Sequence, residues 1–299
     1  MKRGIFAALI LWLLLPLDTA FAKGDLPPPK PTWNYHGMWW GSPAGSESGW
    51  AIGISHQGET IRATWFTYDK DGTPMWLVMP EGGRRTYGWA SDAYTGNLYR
   101  TNAEPRDQSR VNMTLVGTAS FMFGGSANAT FTYVVNGTFG SKLIEKQAVA
   151  ARVPTCGIGA AQGSVPNYTD LWGLQSGWGV HIAHQGDVVF ATWFAYRADG
   201  KGEWLVMPNG VRIDALTYSG TLYRTRGPAF DAIPWKPSNV VAAPVGHATF
   251  TIVKEYESAE ASDSYREYAM FDFVLDGVSG SRAITRQVFA GPVSVCSGS

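Results

Sequence analysis

The 32 residues from Gly49 to Pro80 match the 32 from Gly177 to Pro208 at 18 positions, without a gap and at a spacing of 128. "GWAIGISHQGETIRATWFTYDKDGTPMWLVMP" returns as "GWGVHIAHQGDVVFATWFAYRADGKGEWLVMP". A match of that density makes the chain two copies of one folding unit. The likeness continues downstream. "YTGNLYRT" (94–101) answers "YSGTLYRT" (218–225), and "VGTASFMF" (116–123) answers "VGHATFTI" (245–252). "VNGTFGSKLIEKQ" (135–147) answers "LDGVSGSRAITRQ" (275–287). The spacing has grown to 140 by Gly137 and Gly277, so the second copy carries a net insertion. Most of it is expected in the polar stretch "KEYESAEASDSYREYA" (254–269), which suits an elongated hairpin or exposed loop.

Within each copy the segments read as strands divided by turn residues, with no helical period. "HQGE", "HQGD", "KDGT" and "ADGK" supply hairpin turns, the Asp-Gly pairs most strongly. Along "SFMF" and its partner, Ala119, Phe121 and Phe123, then Ala248, Phe250 and Ile252, are expected to face inward. Seven or eight such strands per copy make an antiparallel meander that gains by closing on itself, because open edges recruit other strands. The sequence therefore predicts an all-β protein of two tandem antiparallel meanders, as small up-and-down barrels, with open sandwiches as the alternative.

The start of the chain supplies the compartment. Lys2 and Arg3, an apolar run and the small-x-small Ala20-Phe21-Ala22 fit a cleaved signal peptide over 1–22. Pro16 and Asp18 interrupt the run before it reaches the roughly 20 apolar residues that a span requires. The reading is an exported protein, periplasmic or secreted, with no transmembrane segment after cleavage. A Pro-rich linker (23–31), a first barrel (32–155), a linker (156–164) and a second barrel (165–299) follow. Without residues 1–22 the chain keeps 22 basic and 23 acidic residues, since Lys2, Arg3 and Asp18 go. That balance excludes the basic stripe that a nucleic-acid partner demands. Cys156 and Cys296, at the ends of the two copies, are expected to pair in an oxidising compartment, the alternatives being separate partners or free thiols.

The string "SGWGVHIAHQGD…ATWFAYRADG…WLVMP", with "VSGSRAITRQVF" downstream, resembles a tandem repeat of uncharacterised exported proteins of proteobacteria. The resemblance covers nearly the whole mature chain; it implies export and a β-rich fold and brings no catalytic residues. The meander is also similar to avidin and lipocalin barrels in architecture, which says little about ligand.

Aromatic residues carry the functional expectation. Arg62, Thr64, Phe66 and Tyr68 share one strand face and Ala63, Trp65 and Thr67 the other; Phe190, Thr192, Phe194 and Tyr196 oppose Ala191, Trp193 and Ala195. Rings on both faces serve either to fill a barrel and pack the copies together or to line a ligand site. Candidate ligand-binding residues are Trp50, Trp65, Tyr68, Trp76, Trp178, Trp193, Tyr196 and Trp204. His56 with Glu59 and His184 with Asp187 form a possible polar site, although a turn role fits them as well. No nucleophile is picked out beside them, and the ligand count is short of a metal site. "PEGGRRT" (80–86) lacks a phosphate-loop pattern. Lys142, Lys146, Arg282 and Arg286 on the last strand of each copy read as edge protection. The sequence thus predicts a binding or surface module for a glycan or small apolar ligand, with no catalytic residues assigned and no cofactor or metal; the alternative is a hydrolase using His56 or His184 with a nearby carboxylate.

Overall fold

The computed structural model describes residues 33–87, 91–104, 107–151, 153–158, 167–173, 177–256 and 265–297. The signal-peptide and Pro-rich segments read from the sequence lie outside them, as do residues 159–164 of the linker and 257–264 of the long hairpin.

Eight strands form the first barrel: β1 (Gly37–Gly41), β2 (Ala51–Gln57), β3 (Thr60–Tyr68), β4 (Pro74–Tyr87), β5 (Ser91–Glu104), β6 (Asp107–Phe123), β7 (Asn128–Val135) and β8 (Thr138–Lys146). A short β9 (Thr155–Ile158) follows it. The second barrel comprises β10 (Asp170–Gly173), β11 (Gly179–Gln185), β12 (Val188–Tyr196), β13 (Gly202–Arg212), β14 (Thr217–Arg226), β15 (Val241–Tyr256), β16 (Tyr265–Leu275) and β17 (Val278–Arg286), and β18 (Ser294–Ser297) ends the described chain. Both sheets are closed, each in the sequential antiparallel order of an up-and-down barrel. Among the described residues the single helical turn is a 3₁₀ turn at Pro237–Asn239, and no helix is long and apolar enough to cross a membrane.

Local chemistry explains the meander. Asn136 and Gly137, and at the same place in the second copy Asp276 and Gly277, have φ of 48, 79, 50 and 82°. Two successive positive φ values define the tight turn whose twist matches that of paired strands. Closure comes from β1 and β10. Trp39 pairs with Ile52 on one side and Lys146 on the other, and Trp172 pairs with Val180 and Arg286. With no edge left there is nothing for the basic residues of β8 and β17 to protect. Instead Lys142 pairs with Glu47 at 2.6 Å and lies 5.0 Å from the Trp50 ring centre, while Arg286 lies over Trp172 and bonds Glu267.

The alternation of rings now resolves into two surfaces. Trp65, Phe121, Phe123 and Phe131 fill the first barrel, and Trp193, Phe250 and Phe271 fill the second. Phe66 and Tyr68, on the opposite face of β3, lie outside the first barrel and pack against the second. Trp204 sits 6.1 Å from Phe66 and 5.4 Å from Tyr68, while Trp76 sits 4.9 Å from Phe194 and 5.6 Å from Tyr196. The contacts are reciprocal, as in a twofold dimer interface. Gly53 lies under the His181 ring, where a Cβ would come within 2.5 Å of it.

A second reciprocal device uses the repeated "HQG". Gln57 Nε2 donates to the Gln287 carbonyl at 2.7 Å, and its Oε1 accepts from the N–H groups of Phe289 and Ala290. Gln185 does the same for the other copy, donating to the Gln147 carbonyl and accepting from Val149 and Ala150. Each barrel thereby holds the tail of its neighbour. Beyond those tails β9 pairs with β18, Cys156 lies opposite Cys296, and the two form a disulfide.

The disulfide spans 140 residues, a loop for which chain entropy gives about 4–5 kcal/mol at most. A Cys156→Ala/Cys296→Ala variant is therefore expected to lose up to that much in urea unfolding while keeping its far-UV circular dichroism. A collapse of the β signal would mean that the barrels depend on the bond for their fold.

Candidate functional site

His56 and His184 occupy the same position in the two barrels. The N–H of Tyr35 donates to His56 Nδ1 at 3.2 Å, and that of Tyr168 donates to His184 Nδ1 at 3.2 Å. Each Nδ1 is thus an acceptor and each Nε2 carries the hydrogen. His56 Nε2 meets the Tyr94 hydroxyl at 3.0 Å; His184 Nε2 meets the Tyr218 hydroxyl at 2.7 Å and the Gly186 carbonyl at 2.8 Å. Tyr35 and Tyr168 stack on the imidazoles. Burial, the largest cause, lowers the His56 pKa to about 3 and the His184 pKa to about 4. A general base needs a free lone pair facing substrate. Here both lone pairs are spent on backbone.

The neighbouring carboxylates point elsewhere. Glu59 pairs with Arg84 at 3.0 Å, and Asp187 pairs with Arg212 at 2.9 Å. Arg84 also binds Asp92, which accepts a hydrogen bond from the Tyr35 hydroxyl at 2.7 Å. The chain Glu59–Arg84–Asp92–Tyr35 ties the β2–β3 turn to β4, β5 and the segment before β1. The expected convergence of each histidine with its carboxylate therefore does not occur. Among the described residues no group of three His, Cys, Asp or Glu is arranged to hold a metal.

His36 and His181 lie in the interface between the barrels. His36 Nδ1 accepts from the His56 N–H at 3.3 Å and its Nε2 donates to the Thr169 carbonyl at 2.7 Å. His181 Nε2 lies 3.1 Å from Thr64 Oγ1. Burial keeps both neutral, His181 at about 3, and it also lowers Lys146 to about 8.

The aromatic candidates fall into three places. Trp65 and Trp193 lie inside the barrels against Phe131 and Phe271. Tyr68, Trp76, Tyr196 and Trp204 form the interface, and Trp50 and Trp178 stand at the barrel mouths. Trp50 and Trp204 also border a cleft of about 340 Å³ between the barrels, walled by Trp40, Phe66, Phe190, Val206 and Val240. Its lining is apolar with few exceptions. Glu47 is engaged by Lys142 and by the Trp50 indole N–H. Gln147 and Trp40 border the same cleft, and Gln147 Oε1 and Trp40 Nε1 are buried without hydrogen-bond partners. Sequence reasoning missed Trp40, Gln147 and Val240. Gln147 has its counterpart in Gln287, but the cleft is walled by one barrel's rim and the other's outer face, so no single repeat shows it. Compared with known proteins, the chain matches no family model, and no curated protein or solved structure is significantly similar to it.

The buried imidazoles set a pH dependence. Their native pKa values lie below the unfolded value of about 6.5, so the unfolded chain takes up protons that the native chain does not. The histidine contribution to stability should be level above about pH 7.5 and fall as pH drops through 6.5, by about 1.4 kcal/mol per pH unit for each such histidine, towards the native values near 3 and 4. Urea unfolding at about pH 7.5 and 5 reads this directly, with a shallower slope expected for His181→Gln. Equal stability at both values would mean that these imidazoles titrate normally in the native state.

Proposed function

We propose that the protein is an exported, non-catalytic binding module that holds a small, uncharged and mostly apolar molecule in the cleft between its barrels. The observation that carries this reading is the cleft itself, about 340 Å³ and walled by Trp40, Phe66, Phe190, Val206 and Val240, with buried polar groups that lack partners on its lining residues Trp40, Gln147 and Thr225. A buried polar atom without a partner costs about 1–3 kcal/mol. A ligand hydroxyl or amide that reaches one of these groups removes that cost for it. Of the two ligand classes the sequence suggests, a glycan would need many more polar partners than this wall offers. The cleft volume of about 340 Å³ is within the usual range for a small-molecule site.

The histidine geometry speaks against the hydrolase reading, since the Nδ1 lone pairs accept from backbone N–H groups. Export is supported by the leader-like start of the sequence and by the disulfide, because such bonds persist outside the cytosol.

The test is titration with the neutral fluorescent probe N-phenyl-1-naphthylamine, followed by displacement with 1-octanol. Wild-type protein is expected to bind both. Ala51→Trp puts an indole into the cleft from its partly buried wall and should weaken both at least about tenfold, equivalent to about 1.4 kcal/mol, without a change in circular dichroism. Gln147→Leu should weaken octanol more than the probe. Unchanged binding in Ala51→Trp would remove the cleft as the site.

A further inference from the structure

The two barrels differ at their mouths, and the difference supplies a template. The segment 227–240, between β14 and β15 of the second barrel, crosses to the first and closes its mouth. Phe230 packs edge-on against Trp65 at 6.0 Å and lies 6.1 Å from Tyr133, whose hydroxyl donates to the Phe230 carbonyl at 3.0 Å. The Phe230 N–H donates to the Tyr68 carbonyl at 2.9 Å, and the Trp235 indole donates to the Ser48 carbonyl at 3.0 Å. Lys142 lies under Trp235, 5.3 Å from its ring centre. An aromatic side chain with a cation beside its anchor thus fills the first mouth.

Nothing equivalent fills the second among the described residues. The corresponding connection in the first copy is short, with β5 running to Glu104 and β6 starting at Asp107. The spacing between copies shows the same thing, rising from 124 at Thr101 and Thr225 to 129 at Val116 and Val245. Exposure follows. Trp193 is 8 % exposed where Trp65 is 2 %, and Trp178, Ala195, Phe273 and Leu275 are half-buried where Trp50, Thr67, Tyr133 and Val135 are buried. They border a cavity of about 230 Å³ with Leu205 at its wall and Arg282 at its rim. The Trp193 indole N–H is buried without a hydrogen-bond partner. Arg282 takes the place of Lys142. Among the described residues its side-chain hydrogen bond goes to the Ser281 carbonyl of its own strand and no carboxylate pairs with it, whereas Glu203 at the same rim is engaged by Arg224 at 2.8 Å.

We infer that the mouth of the second barrel is a separate binding site for a small aromatic carboxylate, its ring seated against Trp193 and Phe273 and its carboxylate on Arg282. The ring would take the place that Phe230 holds in the first barrel. Size agrees, because a dry apolar cavity of about 150 Å³ already holds benzene and the mouth is larger by roughly the volume of a short acidic substituent. The charge of Arg282, with no carboxylate paired to it among the described residues, selects an anion at the rim. This site is independent of the cleft between the barrels.

Phenylacetate is the probe, followed by the tryptophan emission of the intact mature protein. Quenching is expected with a dissociation constant on the order of 1 mM or tighter, and the signal should be lost in Trp193→Phe. Arg282→Gln should weaken phenylacetate at least about tenfold and leave benzyl alcohol within about twofold. Ala195→Trp, which fills the mouth from its half-buried wall, should abolish binding of both while leaving 1-octanol in the inter-barrel cleft unaffected. Absence of phenylacetate binding to the wild type overturns the inference, as does equal binding of phenylacetate by Arg282→Gln. Quenching that persists in Trp193→Phe and is lost in Ala51→Trp would move the ligand to the cleft and overturn it too. Should Ala195→Trp fail to fold, the Arg282→Gln comparison decides alone.

Discussion

The burial of one outer barrel face against another is the constraint on which the rest of this molecule depends. An isolated barrel of this sequence would present Phe66, Tyr68 and Trp76, or Phe194, Tyr196 and Trp204, to water. Aromatic burial of that size dominates the energetics of protein interfaces. Pairing the copies removes all six rings from solvent in a single reciprocal arrangement. Duplication within one chain provides the partner at a fixed high local concentration, as any tether does. The Gln57 and Gln185 clasps and the disulfide then hold the tails where that packing has placed them.

Reciprocity fails at a few positions. Gly53 faces His181, so one copy gives space and the other fills it. The cleft lies on one side of the interface, walled by the rim of the first barrel and the outer strands of the second. Among the described residues the plug closes one mouth only, because the second copy alone carries the extra residues with Phe230 and Trp235. A duplicated fold in which both copies were identical would have both mouths open or both closed.

The "HQG" motif shows how a catalytic-looking triplet can be structural throughout. Its histidine accepts a backbone hydrogen bond at the floor of the barrel, its glutamine reaches into the neighbouring barrel's tail, and its glycine makes the turn. Protonating that imidazole would put an N–H against the N–H that it now accepts. The acid that follows, Glu59 or Asp187, pairs with an arginine on the next strand but one. Nearness in sequence brought histidine and carboxylate to one turn, but strand alternation and local ion pairing took them to different partners.

How much was legible without coordinates follows from what each feature depends on. Strand alternation, turn residues and the repeat are local, so the all-β class, the two units and the paired cysteines could be read from the residues themselves. So could the fact that rings lie on both faces of β3 and β12, although not which face looked inward. Closure was predicted from the cost of open edges, but the contacts that make it, Trp39 with Lys146 and Trp172 with Arg286, join the two ends of a copy, and treating the last strands as edges made guards of basic residues that pack on tryptophan. Most of the insertion was expected around 254–269, in line with the spacing rising from 129 at Val116 and Val245 to 140 at Gly137 and Gly277, but the smaller part that plugs the first barrel lies in 227–240. Phe230 and Trp235 in a Pro-rich connection were a signal, but their destination was in the other copy. The cleft and the plug were decided by tertiary structure alone, because each is made from residues of both barrels, and so was the second mouth, because its walls come from strands far apart in one copy; a sequence shows the periodicity of one strand but not the surface that another strand brings against it.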